Sequence, residues 1–330
     1  MTFPRRALPL TGLTAILAAA IALPYMTDRF IVSVMTLALI FALLALSINL
    51  LGYAGLASLG HAGIMAVSAY ALAVTALETD AGLIVQALVG LGFGLLAAVI
   101  FGLLSMRTSG VYFLMATLAL GMVVWGLTIR LTSVTGGENG LRGLERPSFA
   151  EPYWGLYYLV LGVLVACLAA LWVITKSPFG LALKGLRDNE ARIQMLGYNP
   201  AFIKIYAFAL SGIFAGLAGI LYAYYNRFVS PSTAGFLTSG KAVLMVILGG
   251  IGTLAGPVIG AVIITFVENV VSLSTARWPT VLGLLYIVSV LFARDGIAGL
   301  GRTVWARVSS TGPSRGNGAG LNTPAEVRRE

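Results

Sequence analysis

The sequence predicts an all-α, polytopic membrane protein of about ten transmembrane helices, between about eight and ten, carrying one charged helix on the cytoplasmic side. Three observations point there. The 330 residues are 58% hydrophobic and only 10% charged, where ordinary globular chains carry roughly a quarter charged residues. Apolar runs long enough to cross about 30 Å of hydrocarbon recur along most of the chain. Residues 175–203, TKSPFGLALKGLRDNEARIQMLGYNPAFI, form the longest uninterrupted polar connection, where a simple reversal needs only a few residues.

The runs place spans near 8–26, 30–50, 62–77, 83–106, 111–131, 154–174 and 203–225. The first follows Arg5 and Arg6 and superficially resembles a secretory signal. Its small residues Ala18–Ala20 lie inside the run rather than after it, which favours a first membrane helix. Lys and Arg collect on cytoplasmic loops, and that bias fixes the parity. With Arg5 and Arg6 inside, Asp28 and Arg29, Glu78 and Asp80, and the loop holding Glu138, Arg142, Glu145, Arg146 and Glu151 fall outside. Arg107, Lys176, Lys184, Arg187, Arg192 and Lys204 then fall inside. The basic C-terminal segment belongs inside as well, which three further crossings near 228–250, 254–272 and 279–293 satisfy, with both termini cytoplasmic. Ser230, Pro231, Ser232 and Thr233 predict a partly non-helical entry, tolerated in a membrane only under a cover of protein or a water-filled cavity. The transmembrane domain therefore covers 1–295 and contains the loop 175–203. Residues 296–330, Gly- and Pro-rich and without periodicity at their end, read as a cytoplasmic, largely disordered tail.

Composition excludes several classes of function. The net charge of +9 is spread over loops and tails rather than gathered on a domain, so no nucleic acid partner is expected. A single cysteine, Cys167, rules out an internal disulfide. No Cys/His metal cluster or HExxH occurs, so the chain reads as a non-enzyme without metal or cofactor of its own. Two motifs mislead. Residues 235–241, GFLTSGK, match a phosphate-binding loop until the eighth position, where Ala242 stands in place of the Mg²⁺-binding Ser or Thr. Residues 250–255, GIGTLA, match a relaxed dinucleotide fingerprint but lie between membrane-length apolar runs. Gly252, Gly256 and Gly260 instead form overlapping GxxxG spacings suited to close helix packing.

Two regions remain as candidate sites. The stretch 49–63, NLLGYAGLASLGHAG, breaks an apolar run with glycines and the only histidine, which makes Gly55, Ser58, His61 and Gly63 candidates for a translocation path. A helix-terminal histidine satisfied by backbone is an equally good reading. Lys241 and Glu268 lie near apolar runs, and snorkelling to the headgroups is their simplest account. In the long polar loop, Ser177-Pro178 signals a helix start and Gly197 an end, giving one helix of about 16 residues over 180–196. Leu183, Leu186 and Ile193 share one face, whereas Lys184, Arg187, Asp188, Asn189, Glu190 and Arg192 cover the rest. A helix made for anionic lipid would be mostly basic on its polar side, so the mixed signs favour a protein partner.

The block from SPFGLALKGLRDNEARIQMLGYNPAFIK onward to residue 223, with SLGHAG at 58–63 and LGGIGTLAGPVIGA at 248–261, resembles the LivM-type permeases of branched-chain amino acid ABC transporters over roughly residues 30–295. The resemblance implies a bacterial inner-membrane subunit paired with a homologous LivH-type permease, two cytoplasmic ABC ATPase subunits that bind ATP and Mg²⁺, and a periplasmic substrate-binding protein. It makes the 177–197 segment a coupling helix, with the RDNE run Arg187–Glu190 at the ATPase contact. Similar permeases serve urea, short amides and aromatic acids, and Lys241 departs from the less basic segment usual in them. An ion-gradient-driven secondary transporter is the rival class, against which stands the lack of clear mid-span acids in the sequence.

Overall fold

The computed structural model describes residues 10–274 except Asp80, with isolated positions from 277 to 287. The order is α1 (Leu10–Met26), α2 (Arg29–Gly52), α3 (His61–Glu78), α4 (Leu83–Ser105), α5 (Gly110–Arg130), α6 (Thr132–Thr135), β1 (Leu141–Arg142), α7 (Tyr153–Lys176), α8 (Pro178–Asp188), α9 (Glu190–Met195), α10 (Pro200–Asn226), β2 (Phe228–Val229), α11 (Phe236–Gly249) and α12 (Gly256–Ser274). Among the described residues, α2, α3, α4, α5, α7, α10 and α12 are long and apolar enough to cross a bilayer. The 17-residue α1 occupies the first expected span and contains Pro24. The span expected at 279–293 lies outside the described residues but for those isolated positions, and the tail expected at 296–330 lies wholly outside them.

The region expected at 228–250 departs from a simple span. Its helix, α11, has only 14 residues, about 21 Å at 1.5 Å per residue, and so falls short of the hydrocarbon thickness. The chain leading to it is non-helical: Arg227 takes a left-handed conformation at φ 55°, β2 pairs antiparallel with β1, and Pro231–Ala234 form a 3₁₀ turn. Pro231, Thr233 and Ala234 are buried, and the turn packs on α3, α5 and α11, which supplies the protein cover that such backbone needs.

Two groups of helices meet where α2 packs on α10. In one, α10 packs on α3 and α4; in the other, α2 packs on α12, α11 and α7. Small residues set the spacing. A Cβ on Gly212 would stand 2.2 Å from the Ala98 Cβ, and one on Gly219 would stand 2.2 Å from the Met65 carbonyl oxygen. Between α11 and α12, a Cβ on Gly260 would stand 1.9 Å from the Met245 oxygen, while Gly249 and Gly256 meet backbone to backbone. These approaches admit no side chain, and they give membrane helices the van der Waals contact that replaces a hydrophobic driving force. Gly252 differs from the expected glycine stripe: it lies in the turn before α12, at φ 77°, rather than on the helix face.

Candidate functional site

The polar loop forms a helical hairpin at one end of the bundle, and the single helix expected over 180–196 is two. Ser177 starts α8 as expected, its Oγ accepting from the Gly180 N–H at 3.3 Å with Pro178 in the first turn. At Asn189 the backbone extends to φ −165° and the helix stops. The Asn189 Oδ1 accepts from the Arg192 N–H at 3.0 Å, so this residue caps a second helix, the role for which asparagine is among the best residues. Gly185 lets the hairpin close, since a Cβ there would stand 2.5 Å from the Ile193 side chain.

Leu183, Leu186 and Ile193 are buried. Lys184, Arg187, Asp188, Asn189 and Arg192 are exposed. So are Leu181, Met195, Leu196 and Tyr198, an apolar admixture that a charge pattern does not reveal. Glu190 turns back towards the bundle, where its carboxylate accepts from the Lys204 ammonium at 3.0 Å. Lys204, buried in the first turn of α10, also reaches the Met106 carbonyl oxygen at 3.4 Å. This pair ties α9 to the ends of α4 and α10.

Arg187 joins the hairpin to two further loops. A Cβ on Gly55, which has φ 73°, would stand 3.0 Å from its Cγ, and one on Gly252 would stand 3.5 Å from its Nη1. The buried Asn49 side chain ties the end of α2 to the second of these loops, donating to the Thr253 carbonyl oxygen at 2.7 Å and accepting from the Gly252 N–H at 2.8 Å. Of the candidate path residues, Gly55 therefore sits under the hairpin.

Ser58, His61 and Gly63 lie deeper. His61, fully buried, places Nδ1 3.0 Å from the Ser58 Oγ and Nε2 3.0 Å from the Ser211 Oγ on α10, and stacks on Phe208. Ser211 gives its own proton to the Phe208 carbonyl oxygen, so its oxygen accepts from Nε2–H. Ser58 then donates to Nδ1 and accepts from the Gly60 N–H. The network is complete with a neutral ring and fixes its tautomer. Gly63 faces the Gly121 Cα on α5.

Lys241 and Glu268 do not snorkel apart. Their side chains meet at 2.9 Å between α11 and α12, and the Lys241 ammonium lies 3.9 Å from the centre of the Phe41 ring on α2. Phe41 stands twelve residues beyond Arg29 and eleven short of Gly52, so the pair is at mid-depth. An acid does occur mid-span, contrary to the reading of the sequence. A single charge at that depth costs at least about 2.5–3.5 kcal/mol, which the pairing offsets.

At the opposite end, Arg146 donates to the Tyr224 and Tyr225 carbonyl oxygens at the end of α10. Burial, followed by the neighbouring Arg227, lowers its pKa from the usual arginine value. It fastens the loop between α6 and α7 over the bundle.

Residues 30–293 match the family model described as "Branched-chain amino acid transport system / permease component". The chain belongs to that family. It is 29% identical to the high-affinity branched-chain amino acid transport system permease protein LivM of Escherichia coli over 323 residues, covering 86% of this chain and 74% of the relative. The LivM protein of Salmonella typhimurium matches with the same identity and coverage. The autoinducer 2 import system permease protein LsrC of Yersinia pestis is 29% identical over 225 residues, 61% of this chain and 62% of the relative. No solved structure matches. The family relationship agrees with the resemblance carried by the three sequence motifs, and makes this a transmembrane permease homologous to LivM.

Proposed function

We propose that the chain is the membrane-spanning subunit of an ATP-driven importer that moves branched-chain or related amino acids across the bacterial inner membrane by alternating access. The carrying observation is the α8–α9 hairpin: an exposed surface of Lys184, Arg187, Asp188, Asn189 and Arg192 with Leu181, Met195 and Tyr198 among them, on a chain otherwise built of membrane helices. Mixed charge with apolar anchors suits a protein partner better than a lipid surface. In this reading two cytoplasmic ABC ATPase subunits, holding ATP and Mg²⁺, seat the hairpins of this chain and of a LivH-type partner, and a periplasmic binding protein delivers substrate. Both termini are cytoplasmic. The chain itself supplies no catalytic residue or cofactor.

Motion of the hairpin has a direct route into the bundle. Arg187 presses on the loops at Gly55 and Gly252, and Glu190 grips α10 through Lys204. The Ser58–His61–Ser211 knot then acts as a gate element, fixing the start of α3 to α10 in one state, with Gly63 against α5. Glu268 revives the secondary-transporter reading, since such proteins bury acids as coupling sites. Its pairing with Lys241 argues against that role, because the acid is already compensated without an ion. LsrC supports a second substrate class, because a family relative carries a different cargo.

The test is purification of the permease with its partners and reconstitution into proteoliposomes. ATPase subunits that co-purify, with L-leucine uptake strictly dependent on ATP, support the proposal. Uptake driven by an ion gradient without any ATPase overturns it.

A further inference from the structure

The Lys241–Glu268 pair is the one place among the described residues where opposite charges meet at mid-depth in the bundle, and its surroundings go beyond helix adhesion. Both side chains retain some exposure, 16% and 22%, whereas the His61 knot has none. Lys241 stands in a short helix entered through non-helical chain, the construction that places substrate sites at mid-depth in membrane transporters. One turn from Glu268 on α12, the buried Thr265 hydroxyl has no hydrogen-bond partner among the described residues. The Phe41 ring lies beside the ammonium, and Tyr222 packs on Phe41.

We propose that Lys241 and Glu268 form a binding site for the two charged ends of a zwitterionic α-amino acid, Lys241 taking the carboxylate and Glu268 the ammonium. This rests on the proposed function and names the residues through which that cargo is handled. The charge balance favours a zwitterion specifically. In its absence the two side chains neutralise one another. When it enters, one ion pair opens and two form, so no uncompensated charge is left in the apolar bundle. A monoanion would capture Lys241 and strand Glu268; a monocation would do the reverse. Thr265 offers the exchange a further hydrogen bond near the substrate ammonium or carboxylate. The same logic accounts for an ion pair where packed apolar side chains would hold the helices equally well.

The experiment uses the reconstituted complex with its ATPases. Lys241→Met and Glu268→Gln should each lower ATP-driven L-leucine uptake at least tenfold. The double variant, which removes the cost of a lone charge, should assemble and hydrolyse ATP yet stay at least tenfold down. If the double variant imports within twofold of wild type, the pair only holds helices together and the proposal is overturned. A second measurement covers a double variant that does not assemble. In a Cys167→Ser background, Leu244→Cys, one turn from Lys241, is labelled with maleimide in the assembled complex. L-leucine should slow labelling at least fivefold, while 4-methylpentanoate and leucinamide, each lacking one charge, should not. Labelling indifferent to all three, or slowed equally by all three, overturns the proposal. A wild-type complex that fails to import on ATP strikes the proposed function, whereas a wild type and double variant that import alike strike this site only.

Discussion

The His61 knot and the Lys241–Glu268 pair both place polar groups among apolar helices, and they are built in opposite ways. The knot uses neutral partners, satisfies both ring nitrogens and leaves no exposure. The pair uses full charges, holds them by one contact plus an aromatic face, and keeps part of each side chain accessible. A neutral network sealed on every side suits a joint that is held or released as a unit. A charged pair left partly open suits an exchange with something else that is charged. The two also join different helices: the knot fixes α3 to α10, and the pair bridges α11 and α12 beside α2.

The largest losses are expected at close-packed glycines on the helices that carry each cluster. Gly219→Leu on α10 and Gly260→Leu on α12 each put side chain where backbone already stands within about 2.2 Å. Loss of the folded permease from size-exclusion chromatography is expected for both, and a normal yield of either would show that the helices part more easily than their packing implies.

His61→Ala comes next. It leaves the buried Ser58 hydroxyl proton without its acceptor, while Ser211 keeps its bond to the Phe208 carbonyl oxygen, at about 1–3 kcal/mol for a group left unsatisfied. A lowered thermal midpoint is expected, with import reduced in proportion to the loss of folded protein if the joint is only structural, and reduced further if it gates. The unfolding midpoint and uptake per folded complex separate the two. An unchanged midpoint would contradict the hydrogen-bond network.

The smallest effect is expected at Asn189→Ala. Removing the cap of α9 costs about 1 kcal/mol and should raise amide exchange in residues 190–195 while leaving both membrane clusters as they are. Rapid exchange spreading to α10 would show that the hairpin and bundle are one cooperative unit.

Much of this architecture was legible because its signals are local. Hydrophobic runs fall on α2, α3, α4, α5, α7, α10 and α12, the Ser177-Pro178 start lies where its capping chemistry puts it, and the polar Ser230–Thr233 segment is non-helical. The break at Asn189 carried a signal that amphipathic periodicity outweighed: a good capping residue followed by Glu190 in the first turn of a helix. Contacts between distant segments were not legible. Ser211 lies 150 residues from His61, and nothing near the histidine marks its partner. Lys241 and Glu268 are 27 residues apart, and each taken singly fits a snorkelling side chain. Folding the chain about the turn at 250–255 brings them to similar heights on neighbouring helices, and that step converts two surface charges into one internal pair. Arg187 was legible as an exposed cation, but not as the residue lying against Gly55 and Gly252.

We propose that ATP hydrolysed on another subunit moves this chain through the α8–α9 hairpin. Asp188 tests it most directly, because it is exposed there and no ion pair among the described residues holds it, whereas Glu190 is bound to Lys204. ATP-driven L-leucine uptake by proteoliposomes carrying Asp188→Lys should fall at least tenfold while the permease pair remains assembled. Uptake at the wild-type rate in that variant, or uptake that persists with the ATPases removed, would contradict the account.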